Sequence, residues 1–194
     1  MTSDGDEIYL SYKGVRKSFN GVPALDGVDL EVRRSEIFGF IGPDGAGKTT
    51  LIRMAMGITD PDSGECTLLG MKDRRRARIS AGYVPQLFSL YTDMTVNENI
   101  ALFGSLYGTA KETALQRAED ILKRTGLWPF RERLVGNLSG GMKQKLALAS
   151  GLMHTPEILF LDEPTTGVDP VARREFWAIL YELNRQGLTI IVST

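Results

Sequence analysis

The sequence contains one cysteine, Cys66, and one histidine, His154, among its 194 residues. A single cysteine cannot form a disulfide within the chain, and such chains are typical of a reducing compartment, so we expect a cytoplasmic protein. His154 comes at the end of a predicted helix. A structural role is more common there than a catalytic one, and we expect a structural role.

Long apolar segments and excess charge are also absent. No apolar run approaches the roughly 18 residues that a membrane-spanning helix needs, and the first ten residues lack the basic region and apolar core of a signal peptide. The net charge of −1 gives no field that would draw the chain to nucleic acid or to anionic lipid. With 42% hydrophobic and 24% charged residues, the composition is that of a soluble globular protein of about one domain.

Strands and helices alternate along most of the chain, which predicts an α/β domain around a mainly parallel sheet. A block from about Gln86 to Thr155 is mostly helical and interrupts this alternation. In one of its helices Leu115, Ala118 and Leu122 fall on one apolar face. Between Lys72 and Arg78 five basic residues predict a solvated loop. The predicted strands lie within residues 8–15, 28–32, 37–42, 60–70, 157–164 and 188–194, and the predicted helices within 48–57, 95–108, 111–126, 142–153 and 170–187.

The strongest motif is "GPDGAGKTT", which fills G-x-x-x-x-G-K-[ST] between a predicted strand and a predicted helix. Glycines allow successive backbone N–H groups to point into one concavity, and the helix N terminus adds its positive dipole end. Lys48 can reach the β and γ phosphates, Thr49 can offer its hydroxyl to Mg²⁺, and Thr50 can donate to the α phosphate. The predicted phosphate-binding residues are Gly42, Asp44, Gly45, Ala46, Gly47, Lys48, Thr49 and Thr50.

Asp44 is an unexpected residue in this loop, because an acid repels a polyanion. The loop contributes mostly backbone groups, so an acid can be accommodated when its carboxylate turns outward. We expect that carboxylate to face a second chain or nearby basic side chains, where it would not oppose a bound polyanion.

A second motif, "ILFLDE", predicts a buried strand that carries two acids at its C-terminal end. Ligands bind at that edge of open α/β sheets. Asp162 would orient the metal or its water, and Glu163 would accept a proton from the attacking water. Together with the glycine-rich loop, this strand predicts a nucleotide triphosphatase.

A third motif, "LSGGMKQK", places Ser139, Gly140 and Gly141 directly before a helix. The first turn of a helix has free N–H groups, and small residues let an anion approach them. An ordinary N-capped helix is the alternative interpretation, although capping alone explains neither glycine.

With these motifs in this order, the sequence resembles the ATP-binding subunits of ABC transporters over essentially its whole length. "YVPQ" and "TTGVDP" also match motifs of that family. The resemblance implies that Phe19 stacks on adenine, that Gln86 touches Mg²⁺ and the nucleophilic water, and that Asp169 lies at a dimer interface. It implies that the "LSGG" residues face the γ-phosphate held by a second copy, so that two chains enclose two ATP molecules.

The resemblance also implies a fold and a partner. The fold is a P-loop NTPase core of the RecA type (residues 1–86 and 156–194) that includes a small antiparallel β subdomain, with an inserted α-helical subdomain (87–155). The partner is a transmembrane permease at the inner face of the cell membrane. The segment "LFSLYTDMTVNENI" (87–100) would line a groove for a short helix of that permease, with packing in the core as the alternative interpretation of its apolar residues.

This sequence departs from the family pattern in a few places. In the family a histidine that contacts the γ-phosphate follows the strand "LTIIVST", whereas this chain ends at Thr194. We therefore expect a single domain that is truncated at its C terminus and is weakly active alone. Met142 and Val168 replace the family's usual glutamine and leucine.

Three functions are compatible with these motifs. The first is the ATPase of a membrane transporter, most like the exporter-type subunits. The second is a soluble ABC ATPase that acts on nucleic acid or the ribosome, but the DNA-acting members have a long coiled coil between the loop and the signature, where this chain has a short interval. The neutral charge also argues against nucleic acid. The third, a generic nucleotide-binding domain, leaves "LSGG" unexplained.

Overall fold

The structure is a computed structural model that describes residues 7–86, 90–106 and 111–194. Within that part of the chain it contains two β-sheets and six α-helices. The strands are β1 (Ile8–Phe19), β2 (Val22–Arg33), β3 (Ile37–Phe40), β4 (Ser63–Leu68), β5 (Ala81–Val84), β6 (Ile158–Asp162) and β7 (Thr189–Ser193). The α-helices are α1 (Lys48–Ala55), α2 (Arg74–Ala77), α3 (Val96–Leu106), α4 (Lys111–Arg124), α5 (Gly140–Leu152) and α6 (Pro170–Arg185), and short 3₁₀ turns cover Arg78–Ser80, Trp128–Phe130 and Val135–Asn137.

The first sheet is antiparallel, in the order β2-β1-β4. Strands β1 and β2 form a hairpin whose two turn residues, Asn20 and Gly21, have φ values of 50° and 79°. Positive φ at both positions matches the right-handed twist of the two strands. The hairpin extends beyond the predicted ranges 8–15 and 28–32, because the clear alternation of apolar and polar residues stops before the paired backbone does.

The second sheet is parallel, in the order β3-β7-β6-β5. All five residues of both β6 and β7 are buried, as expected for central strands covered on both faces. Strand β5 is additional to the predicted strands, since its four residues are too few to give a periodic signal. All four strands run in one direction, so their C-terminal ends meet at a single edge.

The predicted helices between Thr95 and Met153 are confirmed as α3, α4 and α5. Thr95 and Glu98 form reciprocal hydrogen bonds at the start of α3, from Thr95 N to Glu98 Oε2 (2.7 Å) and from Glu98 N to Thr95 Oγ1 (3.1 Å). The three helices share an apolar core that includes Ala118 and Leu122. Leu115, which we expected on the same buried face, is 52% exposed because α4 turns that position to solvent.

The expectation of a solvated loop at the basic run was right about solvent but wrong about the loop conformation and about Arg74. The exposed residues of the run are Lys72, Arg75, Arg76 and Arg78. Asp73 caps α2 there, and the side chain of Arg74 is only 11% exposed. Arg74 donates to the carbonyl of Met54 at the end of α1 (2.6 Å) and pairs with Asp60 (2.6 Å). The last carbonyls of a helix lack partners within it, so one basic residue of the run serves the packing of the fold.

Among the described residues, no helix combines the length and the apolar character required to cross a bilayer.

Candidate nucleotide-binding site

The predicted site residues of the glycine-rich loop, together with Gln86, Asp162 and Glu163, meet at the C-terminal edge of the parallel sheet. Strand β3 leads into the glycine-rich loop, β5 leads to Gln86, and β6 ends at Asp162 and Glu163. A cavity of about 360 Å³ lies among them. It is lined by Ala24, Asp44, Gly45, Ala46, Gly47, Lys48, Thr49, Thr50, Gln86 and Glu163.

The glycine-rich loop has the shape that an anion needs. Gly45 and Gly47 have φ values of 80° and 86°, a conformation that favours glycine. A Cβ atom at Gly47 would also lie 2.6 Å from the carbonyl oxygen of Ala24 in β2. Helix α1 begins at the next residue. Because its first residues line the cavity, the free N–H groups of its first turn form a site for phosphate, and that turn contains no acid that would repel the anion.

Lys48 is 8% exposed and is bound within the loop. Its Nζ donates to the carbonyl oxygens of Gly42 (2.6 Å) and Pro43 (3.1 Å) and lies 3.5 Å from Oε1 of Glu163. The ammonium group therefore lies between the loop and the second acid, within the space that phosphates would fill.

Asp162 is 2% exposed and accepts hydrogen bonds from three hydroxyl groups. Thr49 (3.1 Å) and Ser193 (2.7 Å) donate to its Oδ1, and Tyr83 donates to its Oδ2 (3.4 Å). Burial, and then the Asp162 charge, raise the pKa of Tyr83, so the phenol stays protonated and can donate. Ser193 and Tyr83 were not among the predicted site residues; each is distant in sequence, and no local motif marks either one.

Glu163 lies beside Gln86. The Gln86 amide donates to Glu163 Oε2 (2.9 Å), and the Thr166 hydroxyl contacts the same oxygen at 3.4 Å. Glu163 has a φ of 49°, which is uncommon for a residue with a side chain. This conformation turns the chain at the end of β6 and brings both acids to the same edge of the sheet.

The donor set fits a magnesium ion. Thr49 offers a hydroxyl, Asp162 a carboxylate and Gln86 an amide, and hard oxygen ligands of this kind suit Mg²⁺. Among the described residues no cluster of three or more His, Cys, Asp or Glu side chains could enclose a metal.

Phe19 does not line the cavity. It is 48% exposed at the end of β1, where the Lys17 ammonium lies 5.5 Å from its ring centroid. Asp62 accepts from Lys17 Nζ and from the Ser18 N–H, each at 2.7 Å. The Lys17 hydrogen bond, followed by that of Ser18, lowers the pKa of Asp62. These contacts fix the strand end that presents the ring.

The signature residues lie at the start of α5, outside the cavity. Ser139 caps the helix by accepting from Met142 N (3.3 Å). A Cβ atom at Gly141 would lie 2.5 Å from the Cβ of Ala172 in α6, whereas no atom lies within 4 Å of the corresponding position at Gly140. Helix packing therefore explains Gly141, which capping alone does not explain.

Asp169 is also a helix cap. Its Oδ1 accepts from the N–H groups of Val171 (3.1 Å) and Ala172 (2.9 Å) at the start of α6. Asp169 does not line the cavity either. Phe19, the signature residues and Asp169 thus remain separate from the phosphate loop within one chain.

The expected structural role of His154 is confirmed. Its Nε2 lies 3.1 Å from the carbonyl oxygen of Ala81, which links the end of α5 to β5. Burial lowers the pKa of His154.

The segment 87–100 is more closely packed than we expected for a groove. Residues 87–89 lie outside the described residues. Val96 and Ile100 are buried and Leu90 packs against the same core, because α3 turns these apolar positions inward. Tyr91 is 51% exposed. Core packing therefore accounts for three of the described apolar residues that we had assigned to a groove, Leu90, Val96 and Ile100.

A larger cavity of about 470 Å³ lies where β6 and β7 begin, at the opposite end of the sheet. It lies between α4 and α6, and its lining includes Arg34, Arg117 and Glu157. It has no glycine-rich loop and no start of a helix, so we assign nucleotide binding to the smaller cavity.

A phosphate loop at one strand end and a buried acid at another strand of the same edge characterise the P-loop nucleoside triphosphatases. Within that class the chain belongs to the ABC transporter family, since the family model described as "ABC transporter" matches residues 25–166. The chain is an ATP-binding domain of this family of ATPases.

Curated relatives support this assignment. The probable multidrug ABC transporter ATP-binding protein YbhF of Escherichia coli is 43% identical over 194 residues, which cover 97% of this chain and 34% of that protein. Nod factor export ATP-binding protein I of Ralstonia nicotianae is 40% identical over 193 residues, covering 98% of this chain and 60% of that protein. The chain thus spans less than two thirds of the length of these relatives.

Solved structures support the P-loop NTPase fold. The cbiO1 protein of Clostridium perfringens, part of the ABC transporter complex cbiONQ, has a TM-score of 0.86 and 29% identity over 97% of this chain and 79% of its own. An ATP-binding cassette of an ABC transporter in its ADP conformation has a TM-score of 0.86 and 25% identity over 96% of this chain and 80% of its own.

Proposed function

We propose that this chain binds and hydrolyses ATP with Mg²⁺ and thereby drives export through a membrane partner. The observation that carries the proposal is the grouping of Lys48, Thr49, Asp162, Glu163 and Gln86 around one sheet edge. These side chains include a cation for phosphate, oxygen ligands for a metal and a candidate base for water. The names of the relatives, which refer to multidrug transport and Nod factor export, support export over the alternative of action on nucleic acid.

ATP binding would begin with its phosphates in the glycine-rich loop. The free N–H groups at the start of α1 would bind phosphate oxygens, and Lys48 would move from the loop carbonyls to the β and γ phosphates. Thr50 lines the cavity and would donate to the α phosphate. The same move would release Glu163 from its 3.5 Å contact with the Lys48 ammonium.

Mg²⁺ would be held by Thr49 and Gln86 and oriented by Asp162. When bound, it would neutralise charge that develops on the phosphates. The hydrogen bond from Thr49 to Asp162 (3.1 Å) already places the hydroxyl and the carboxylate side by side, so little rearrangement is needed.

Glu163 would act as the general base for the attacking water. Gln86 donates to one of its carboxylate oxygens (2.9 Å), which holds the acid at the cavity while the other oxygen can accept a proton. A carboxylate placed in this way is expected to contribute about 10²- to 10⁴-fold to the rate.

We also propose that a complete site requires two chains. Ser139, Gly140 and Asp169 do not line the cavity, yet the start of α5 has a free N–H face and open space at Gly140. In a head-to-tail pair, that face would approach the γ-phosphate held by the other chain. Asp169 would lie near the same boundary, and Phe19 would stack on the adenine.

The partner would be a transmembrane permease on the inner face of the cell membrane, with this chain peripheral on it. The contact surface would include the exposed Tyr91 beside α3, and the core of α3 to α5 would be the inserted helical subdomain of residues 87–155. The membrane partner would select the cargo.

The test is ATP hydrolysis by the protein reconstituted with its membrane partner in lipid vesicles. We expect phosphate release that requires Mg²⁺ and is stimulated by the partner, together with ATP-dependent movement of cargo. Hydrolysis that nucleic acid stimulates and the membrane partner does not would support the alternative function and contradict transport.

A further inference from the structure

Ser193 is the last residue of β7, the strand between β3 and β6. Its side chain is fully buried. In the register of the parallel sheet Ser193 is paired with Phe40 on one side and with Asp162 on the other. Ser193 therefore lies between the strand that enters the phosphate loop and the strand that carries the two acids.

The Ser193 hydroxyl contacts both acidic residues. Its Oγ donates to Asp162 Oδ1 (2.7 Å) and accepts from the backbone N–H of Glu163 (2.9 Å). One hydroxyl has a single proton to donate, and here that proton goes to the carboxylate that faces Thr49. The contact at Glu163 holds the backbone where the left-handed φ of 49° turns the chain.

The next residue extends this arrangement to the phosphate loop. Thr194 N donates to the carbonyl oxygen of Phe40 (3.0 Å), and the Thr194 carbonyl accepts from Gly42 N (3.2 Å). The end of β7 is thus bonded to the loop on one side and to both acids on the other. A change at Ser193 would therefore alter the position of the phosphate loop relative to the two acids.

We propose that Ser193 is a positioning residue that sets the metal-facing carboxylate of Asp162 and the backbone of the base Glu163 at once. This role rests on the proposed function, in which Asp162 orients Mg²⁺ and Glu163 activates water. Without the hydroxyl, Asp162 can rotate away from Thr49, and the turn at Glu163 loses its only side-chain acceptor among the described contacts.

The test is ATP affinity of the 194-residue chain with Mg²⁺ and with EDTA, because the ratio of the two reports on the metal without requiring turnover. In EDTA, we expect the ATP affinity of Ser193→Ala to stay within about threefold of the wild-type affinity. Mg²⁺ increases the ATP affinity of the wild type, and we expect Ser193→Ala to lose most of that increase. Ser193→Thr retains a hydroxyl and should restore that gain. Ser193→Cys keeps the size of the side chain but has a weaker donor, so its increase in ATP affinity with Mg²⁺ should lie between those of Ser193→Ala and Ser193→Thr. This variant provides the test if Ser193→Ala does not fold.

Ser150→Ala is the matched control. Ser150 is a buried serine whose hydroxyl donates to the Leu146 carbonyl (2.9 Å) within α5. This variant loses a buried hydrogen bond away from the acids and should keep the full Mg²⁺ gain. In the protein reconstituted with its membrane partner, ATP turnover by Ser193→Ala should fall at least tenfold and its half-saturating Mg²⁺ concentration should rise. Ser150→Ala should show neither change.

The outcomes separate two failures. A Ser193→Ala chain with the same Mg²⁺ gain as the wild type would overturn the positioning role and leave the proposed function standing. A wild-type chain that binds ATP equally with and without Mg²⁺ would overturn both.

Discussion

Among the residues that the structure describes, the side chains of Gln86, Thr166 and Lys48 lie around the Glu163 carboxylate. Glu163→Gln keeps the size of the side chain and removes its ability to accept a proton. We expect ATP still to bind and hydrolysis to fall by about 10²-fold or more. Equilibrium binding and steady-state phosphate release measure the two effects separately. A variant that hydrolyses ATP normally, or that no longer binds it, would exclude Glu163 as the base.

Asp44 is exposed on the glycine-rich loop and lines the cavity. We expect its carboxylate to face a second chain or basic side chains beside the loop. We predict that Asp44→Asn changes the affinity of one chain for ATP by less than about tenfold, or about 1.4 kcal/mol. A larger effect is expected on ATP-driven dimerisation, measured by sedimentation. An affinity gain well above tenfold in calorimetry would mean that the carboxylate opposes the phosphates.

The contact between α5 and α6 leaves no room for a side chain at Gly141. We predict that Gly141→Ala lowers the free energy of unfolding by about 1–3 kcal/mol, because its Cβ would overlap Ala172. Gly140→Ala is the matched control: its Cβ would point into open space, and alanine favours a helix, so stability should stay equal or rise. Urea unfolding of both variants tests this. Equal stability of the two would contradict the packing of α5 against α6.

His154 links the end of α5 to β5 and gives the stability of the fold a pH dependence. Burial lowers the pKa of His154 in the folded chain, whereas a histidine in the unfolded chain has a pKa near 6.5. As the pH falls, the unfolded chain therefore binds this proton before the folded chain does. Stability should therefore be independent of His154 above about pH 7 and fall as pH drops below about 6.5.

His154→Gln should remove this loss, since His154 is the only histidine in the chain and carboxylates titrate mainly nearer pH 4. Urea unfolding of wild type and variant at pH 7.5 and pH 5.5 measures it. Parallel loss of stability in the two proteins would contradict the assigned pKa shift.

Elements whose sequence pattern lies within a few neighbouring residues could be predicted from the sequence. The phosphate loop, the acidic strand and the helix α6 each have a local signal, and the structure contains all three. Ser193 and Tyr83 could not be predicted as site residues, because they meet Asp162 across 31 and 79 sequence positions. Arg74 looked like a surface charge for the same reason, since its partners, Met54 and Asp60, belong to other segments of the chain.

At the scale of the whole molecule, the predicted site is divided into two parts. The cavity contains the phosphate loop and the candidate base, while the start of α5 and Asp169 lie outside it. One chain thus has what it needs to bind the phosphates of ATP, and under the proposed function rapid turnover requires a second chain. The family resemblance predicted that one chain would contain two half sites. Within one chain, the start of α5 and Asp169 indeed lie outside the cavity that contains the phosphate loop.

The proposed function depends most on ATP binding at the cavity around Lys48. Calorimetric titration of the 194-residue chain with ATP and Mg²⁺ tests this binding directly. We predict one ATP per chain and an affinity at least tenfold weaker for Lys48→Ala, because that variant loses the cation between the loop and the acids. The melting temperature of the variant serves as the check on folding. A folded Lys48→Ala chain that binds ATP as tightly as the wild type, or a wild-type chain that binds no ATP, would contradict the account.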